Sequence, residues 1–190
     1  METNRRTNEK TRYRLAQALK ECMTATSLDS ITVTQIAETC KVTRQTFYRN
    51  FQDKYDLINW YFDKLLLESF AQMGNGNSIY EGLVKKFSYI LQEQVFFAGA
   101  FRSDDKNSLK EHDFELILQF YADLIRQKTG KKPSDEILFQ LELYCRGSIY
   151  MTVEWVLSEK KESPAKMAQL LVDAMPAGLS ALFCKLGVLK

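Results

Sequence analysis

No glycine precedes Gly74 and no proline precedes Pro133 in this 190-residue chain, so nothing in its first third obliges the backbone to turn as hairpins do. Histidine occurs once, at His112, and the four cysteines, Cys22, Cys40, Cys145 and Cys184, stand far apart without a Cys-x-x-Cys pair. That spacing excludes the usual zinc sites, so no metal and no cofactor is expected, and it points away from a disulfide framework. Buried, reduced thiols of a cytoplasmic protein are the expectation. Long apolar runs are missing too: Val95-Phe96-Phe97-Ala98-Gly99-Ala100-Phe101 is as long as they become, far below the ~20 residues that span a bilayer. The polar start, Met1 to Lys10, has no apolar stretch of the secretory type behind it, and no membrane partner is expected. A Gly-rich phosphate loop and a nucleophile motif are also absent, so the chain offers no catalytic constellation and an enzyme is not expected.

What is present is helical spacing. Apolar residues recur at i, i+3 and i+4, clean alternation is hard to find, and no repeat or low-complexity segment interrupts the pattern. The expected fold is all-α. Charge divides unevenly beneath a net of +2: residues 1–55 carry +4 and residues 56–190 carry −2. A basic head on a mildly acidic body suits a nucleic-acid-binding module joined to a helical domain.

The first helix is expected from Thr7 to Ala25, with Tyr13, Leu15, Leu19, Cys22 and Met23 as its apolar stripe. Arg5, Arg6, Lys10, Arg12 and Arg14 lie at or near its start, where positive charge opposes the helix dipole. Either an external anion meets this cluster or it is a solvated, frayed terminus.

The decisive stretch runs from Ile31 to Phe51. Val33, Ile36, Ala37 and Cys40 share one face of a short helix that Thr32 can cap, and Val42 and Phe47 fit the same small core after a tight turn. Thr43 can cap a second short helix, Arg44 to about Phe51. Two short helices joined by about three residues form a helix-turn-helix, whose second helix enters the major groove of double-stranded DNA. Arg44, Gln45 and Thr46 sit where base edges would be met: arginine pairs with guanine, glutamine with adenine, and threonine meets the thymine methyl. Tyr48 and Arg49 suit phosphate or groove-edge contacts, and backbone N–H groups near Thr34 and Lys54 offer anion sites.

Thr32, Ile36, Ala37, Val42, Thr43, Thr46, Phe47, Tyr48, Phe51, Lys54 and Leu57 together resemble the DNA-binding region of the TetR family of bacterial transcriptional regulators. Cys40 replaces the usual alanine, Lys41 the usual turn glycine, Thr43 the serine and Gln45 a frequent glycine. Lysine at 41 costs about 1 kcal/mol if its φ is positive, or adds a phosphate contact. The resemblance implies phosphate contacts from Thr34, Thr43, Tyr48 and Lys54, and base contacts from Arg44, Gln45, Thr46 and Arg49. It also implies an all-helical homodimer of about nine helices per chain: a three-helix head (1–52) that binds DNA and a larger regulatory and dimerisation domain (53–190). Arg146-Gly147, Trp155 and Ser163-Pro164 resemble a subgroup that includes an activator of dihydroxyacetone kinase operons.

Beyond the head, Asp53 can cap a helix running to about Met73, a lever between head and body, with a loop at Gly74 to Ser78. Further helices are expected at 79–95, 108–129, 134–158 and 163–186, started by Ser134 and by Ser163-Pro164 and kinked at Pro176. Large apolar residues of the last two helices, Leu141, Trp155, Leu171, Met175 and Leu182 among them, are assigned to a dimer seam. Phe62, Phe87, Phe97, Phe101, Phe120 and Tyr121 either line a ligand pocket or form core, and the scarcity of convergent polar groups favours core. Control by a small molecule or by a protein partner both stay open. The rival reading is a helical interaction adaptor, which would need no basic recognition helix.

Overall fold

The computed structural model describes residues 2–70, 73, 76, 78–103, 105, 109–159 and 162–189, with backbone alone for 2–7, 67 and 68. Gly74, Asn75 and Asn77 of the expected loop, and the side chains of Arg5 and Arg6, lie outside the described residues. Within them there are ten α-helices and no strand: α1 (Glu2–Met23), α2 (Val33–Thr39), α3 (Arg44–Asn50), α4 (Lys54–Phe70), α5 (Ile79–Gln92), α6 (Gln94–Phe101), α7 (Leu109–Thr129), α8 (Asp135–Leu157), α9 (Pro164–Asp173) and α10 (Ala177–Lys185). A 3-10 turn, Leu28–Ser30, stands between α1 and α2.

The expected helix starts are realised by their side chains. Asp53 accepts from the N–H groups of Tyr55 and Asp56, both at 2.8 Å. Ser134 accepts from Ile137, and Ser163, with Pro164 behind it, from Lys166. Two expected helices are each divided in two. The segment expected at 79–95 stops at Gln92, and the apolar run beyond it forms α6. The segment expected at 163–186 breaks before Pro176, where α9 and α10 meet at a bend of 106°. Proline lacks the N–H that would continue α9, and its ring disfavours helical geometry at Met175. No single described helix is long and apolar enough to cross a membrane.

Contacts divide the chain into two compact units, Met1–Lys64 with Glu93–Leu109, and Leu65–Gln92 with Lys110–Lys190. In the first, Leu15, Leu19, Ile36, Phe47, Leu57 and Phe62 are sealed from solvent together with Phe96, Phe97 and Phe101 of α6. A Cβ at Gly99 would fall 2.3 Å from the Met23 methyl, so a larger residue there would have to push the end of the Met23 side chain aside. Tyr13, expected in the buried stripe, is 44% exposed and sets its ring edge-on to Trp60 and Tyr61. Ala16 and Ala18 fill the inner face instead.

In the second unit α5 lies along α9, and α8 packs on α10. Tyr121 meets Tyr144 and Phe183, Phe87 meets Trp155, and Phe120 stacks on Phe70 at 4.7 Å. Polar tips inside this core find carbonyls: the Tyr144 hydroxyl donates to Leu171 and the Trp155 indole to Glu162. Cys40 and Cys145 are buried as expected, but Cys22 is half-buried and Cys184 exposed. Burial pushes the Cys145 thiol up to about 12.

One ionic contact is dry. The Lys86 ammonium of α5 reaches both carboxylate oxygens of Asp113 in α7 at 3.2 Å, with Asp113 wholly buried and Lys86 nearly so. Burial raises the Asp113 pKa and Lys86 pulls it back. Removing one partner strands the other charge. Lys86→Met should therefore cost about 3–5 kcal/mol in urea unfolding, and adding Asp113→Leu should recover most of it. A single variant of near wild-type stability would show that the pair does not hold the core together.

Candidate nucleic-acid interface

The two short helices before Phe51 are terminated at both ends by identifiable chemistry. Thr32 accepts from the Gln35 N–H at 3.2 Å while the Gln35 side chain accepts from the Thr32 N–H at 2.8 Å, a capping box at the start of α2. At its end the Val42 N–H returns to the Ala37 carbonyl (2.9 Å) and the Lys41 N–H to Glu38 (3.0 Å), the paired bonds of a Schellman turn. That turn needs a left-handed residue, and Lys41 supplies it with φ of 56°. Thr43 then caps α3 by accepting from Thr46 at 3.2 Å. Ile36, Ala37, Cys40 and Phe47 are buried beneath these helices, with Val33 and Val42 half-buried.

Burying Phe47 and Asn50 turns the rest of α3 outward. Arg44, Gln45, Tyr48 and Arg49 are exposed, Thr46 is half-buried, and the Arg44 guanidinium lies 6.0 Å from the Tyr48 ring centre. The sequence-derived reading residues therefore share one solvent-facing helix. Thr34, half-buried, stands in the first turn of α2. Lys54 is employed differently: its ammonium donates to the carbonyls of Leu28, Asp29 and Ile31 at 2.8, 2.8 and 2.9 Å. Burial lowers its pKa and the Asp29, Asp105 and Asp53 carboxylates oppose that shift. Lys54 thus ties the start of α4 to the turn before α2.

Two members of the basic cluster in α1 are also structural. Arg14 donates to the Cys40 carbonyl at 2.9 Å and Arg12 to the Asn50 carbonyl at 2.8 Å, so each guanidinium caps the C-terminal, electronegative end of a short helix. Arg12 additionally lies over the Phe51 and Trp60 rings at 4.7 and 5.2 Å. Neither an external anion nor a frayed terminus describes these two residues. Their role was missed because the carbonyls they serve are 26 and 38 residues away.

The six aromatic residues considered for a pocket are not brought together within one unit. Phe62, Phe97 and Phe101 lie in the first, where Phe97 meets both of the others at about 6 Å between ring centres. Phe87, Phe120 and Tyr121 lie in the second with the ring partners given above. Of the residues expected at a dimer seam, Leu141, Trp155, Leu171 and Met175 are buried inside the second unit and Leu182 is half-buried. Helical periodicity locates an apolar stripe but does not distinguish the core side from an outer one. The outer face of α8 instead presents Phe139, Leu143, Tyr150 and Met151, each at least half exposed.

Comparison with known proteins agrees with this geometry. The family model described as "Bacterial regulatory proteins, tetR family" matches residues 15–60. A companion model, "Transcriptional regulator C-terminal region", matches residues 77–176, more than half of the chain. The chain belongs to the TetR family. Both descriptions are of regulators and neither is of an enzyme. Among relatives, the HTH-type dhaKLM operon transcriptional activator DhaS of Lactococcus lactis subsp. lactis (strain IL1403) is 33% identical over 122 residues, 62% of either chain. A solved structure titled dihydroxyacetone kinase operon activator DhaS superposes with a TM-score of 0.55 at 23% identity, covering 95% of this chain and 98% of that one. A TetR transcriptional regulator from Streptococcus agalactiae 2603V gives 0.64 at 20% identity, over 89% and 95%. At such identities the structural likeness establishes the fold.

Within a TetR-family head the turn after α2 is under measurable strain here. A β-carbon at φ of 56° is disfavoured by roughly 1 kcal/mol, which glycine would avoid. Lys41→Gly should raise the thermal midpoint by roughly 2–4 °C, read by circular dichroism. An unchanged or lower midpoint would mean that the lysine's own contacts outweigh the strain.

Proposed function

We propose that this TetR-family chain is a sequence-specific DNA-binding transcriptional regulator that reads a palindromic operator as a homodimer. The carrying observation is the outward face of α3, where Arg44, Gln45, Tyr48 and Arg49 are exposed over a buried Phe47. No other chemistry suits that combination as well as a major groove: a bidentate donor for guanine, an amide for adenine, and a further base and a phenol for groove edges or phosphates. Thr46 joins the base-reading set, while Thr34, Thr43 and Tyr48 hold phosphates. Lys54 contributes from the start of α4, through its backbone, since its ammonium is committed elsewhere. Residues 1–52 are the reading head and 53–190 the regulatory and dimerisation part. By relation to DhaS, whose name makes it an operon activator, the regulated target is an operon. A small molecule or a protein acting on residues 53–190 controls the affinity, and it can do so only by its differential affinity for two arrangements of the chain. Such coupling is reciprocal, so operator and effector must alter each other's binding by the same factor.

Selection of bound fragments from a genomic library, followed by mobility shift, tests the reading. Arg44→Ala should lose roughly 1–3 kcal/mol on the selected site and relax discrimination at one base pair. Uniform weakening on all sequences would make Arg44 a phosphate contact, and no retained fragment at all would favour a helical adaptor instead.

The exposed stripe on α8 is where the second copy is placed. Phe139, Leu143, Tyr150 and Met151 recur on one side of the helix, with Gly147 among them leaving open space for a close approach. A two-fold axis there makes the contact self-complementary and sets two recognition helices a fixed number of DNA turns apart. Leu143→Glu, at a position 61% exposed, should leave helicity unchanged while converting the dimer to monomer in analytical ultracentrifugation. A variant that sediments like the parent would remove this face from the interface.

A further inference from the structure

Between α7 and α8 the second unit holds a cleft of about 260 Å³ lined by Lys110, Glu111, Phe114, Arg146, Ile149, Tyr150 and Val153. None of the six aromatic residues considered above lines it. Phe114, Ile149 and Val153 give it an apolar floor. Arg146 supplies its directed polarity. The guanidinium carbon stands 3.8 Å from the centre of the Phe114 ring, so the ring covers one face of the cation and holds it in place. The side chain remains 60% exposed and forms one loose ion pair, with the Glu111 carboxylate at 4.0 Å. That single long contact leaves guanidinium N–H groups for an oxyanion, which can be taken with two parallel bonds. The volume is slightly below the range usual for drug-sized ligands, so the occupant is small.

We propose that this cleft is a binding site for a small organic carboxylate, its charged group on Arg146 and its apolar or aromatic body on Phe114, Ile149 and Val153. Tyr150, itself part of the exposed stripe of α8, lines one side, so the site lies at the edge of the face given to the second copy. Where the DNA-binding reading holds, the site is a place for an effector; the binding itself is measured without DNA and stands or falls separately.

The test is isothermal titration of the full chain with benzoate and with benzamide, which share a shape and differ in charge. Benzoate should bind saturably with the roughly millimolar affinity that so few atoms allow. Benzamide, and benzoate on Arg146→Gln, should each bind at least about tenfold more weakly, the effect of losing one charge-assisted pair. Circular dichroism checks that the variant keeps its helices. Equal affinity for the two probes, an unchanged affinity in Arg146→Gln, or no saturable benzoate binding would each overturn the proposal.

Discussion

Two guanidinium groups hold the reading helices in place. α2 and α3 are seven residues each, too short to persist alone in water, since helix nucleation is not repaid over so few hydrogen bonds. Their N-terminal ends are satisfied locally by threonine hydroxyls, and a Schellman turn serves the end of α2, but the last carbonyls, of Cys40 and Asn50, take donors from elsewhere. Arg14 and Arg12, two residues apart in α1, provide them at Cys40 and Asn50. One rigid helix therefore sets the position of both short ones, and the buried Ile36 and Phe47 fix their rotation. Everything exposed on α3 depends on that bracing, because a recognition helix reads bases only if its side chains are presented in one orientation.

The same economy governs basic residues throughout the first unit. Lys54 gathers three carbonyls of the turn before α2, and Lys20 donates to Glu93 at 2.9 Å and to the Tyr61 hydroxyl at 3.3 Å. Burial works against the Lys20 charge, yet Glu93 and Tyr61 raise its pKa. The net charge of the head thus overstates what is left over for an external polyanion. Arg44 and Arg49 of α3, with Lys10 and Lys41, are exposed cations of this unit.

How far the sequence could be read follows from the range of each interaction. Capping is local, so Thr32, Thr43, Asp53, Ser134 and Ser163 were legible from their neighbours, as was the left-handed cost at Lys41. The outward set Arg44, Gln45, Tyr48 and Arg49 was legible because burying Phe47 settles the phase of a short helix. Contacts between distant segments were not legible. Nothing near Arg12 or Arg14 announces a carbonyl partner, and nothing in the apolar periodicity of α8 tells Leu141, which is buried, from Leu143, which is exposed. The helix α6 escaped for another reason: Val95 to Phe101 is apolar on every side, so it carries no period by which a helix would be recognised.

That missed helix belongs to the bracing of the reading helices. α6 follows α5 in the chain, yet it packs within the first unit and is tied to the head at both ends. At its start Glu93 accepts from Lys20 of α1 and from Tyr61 of α4. Just beyond its end the buried Ser103 hydroxyl donates to Asp29 at 2.7 Å, and Tyr55 donates to the same carboxylate oxygen at 3.2 Å. Asp29 belongs to the turn that Lys54 gathers and that leads directly into α2. A displacement of α6 must therefore either break charge-assisted bonds or carry the turn before α2 with it. Each such bond is worth more than a neutral one, and partial burial raises the cost of leaving it unmade. The segment 93–103 is thereby part of what positions the turn before α2 within the first unit, through the hydrogen bonds already named.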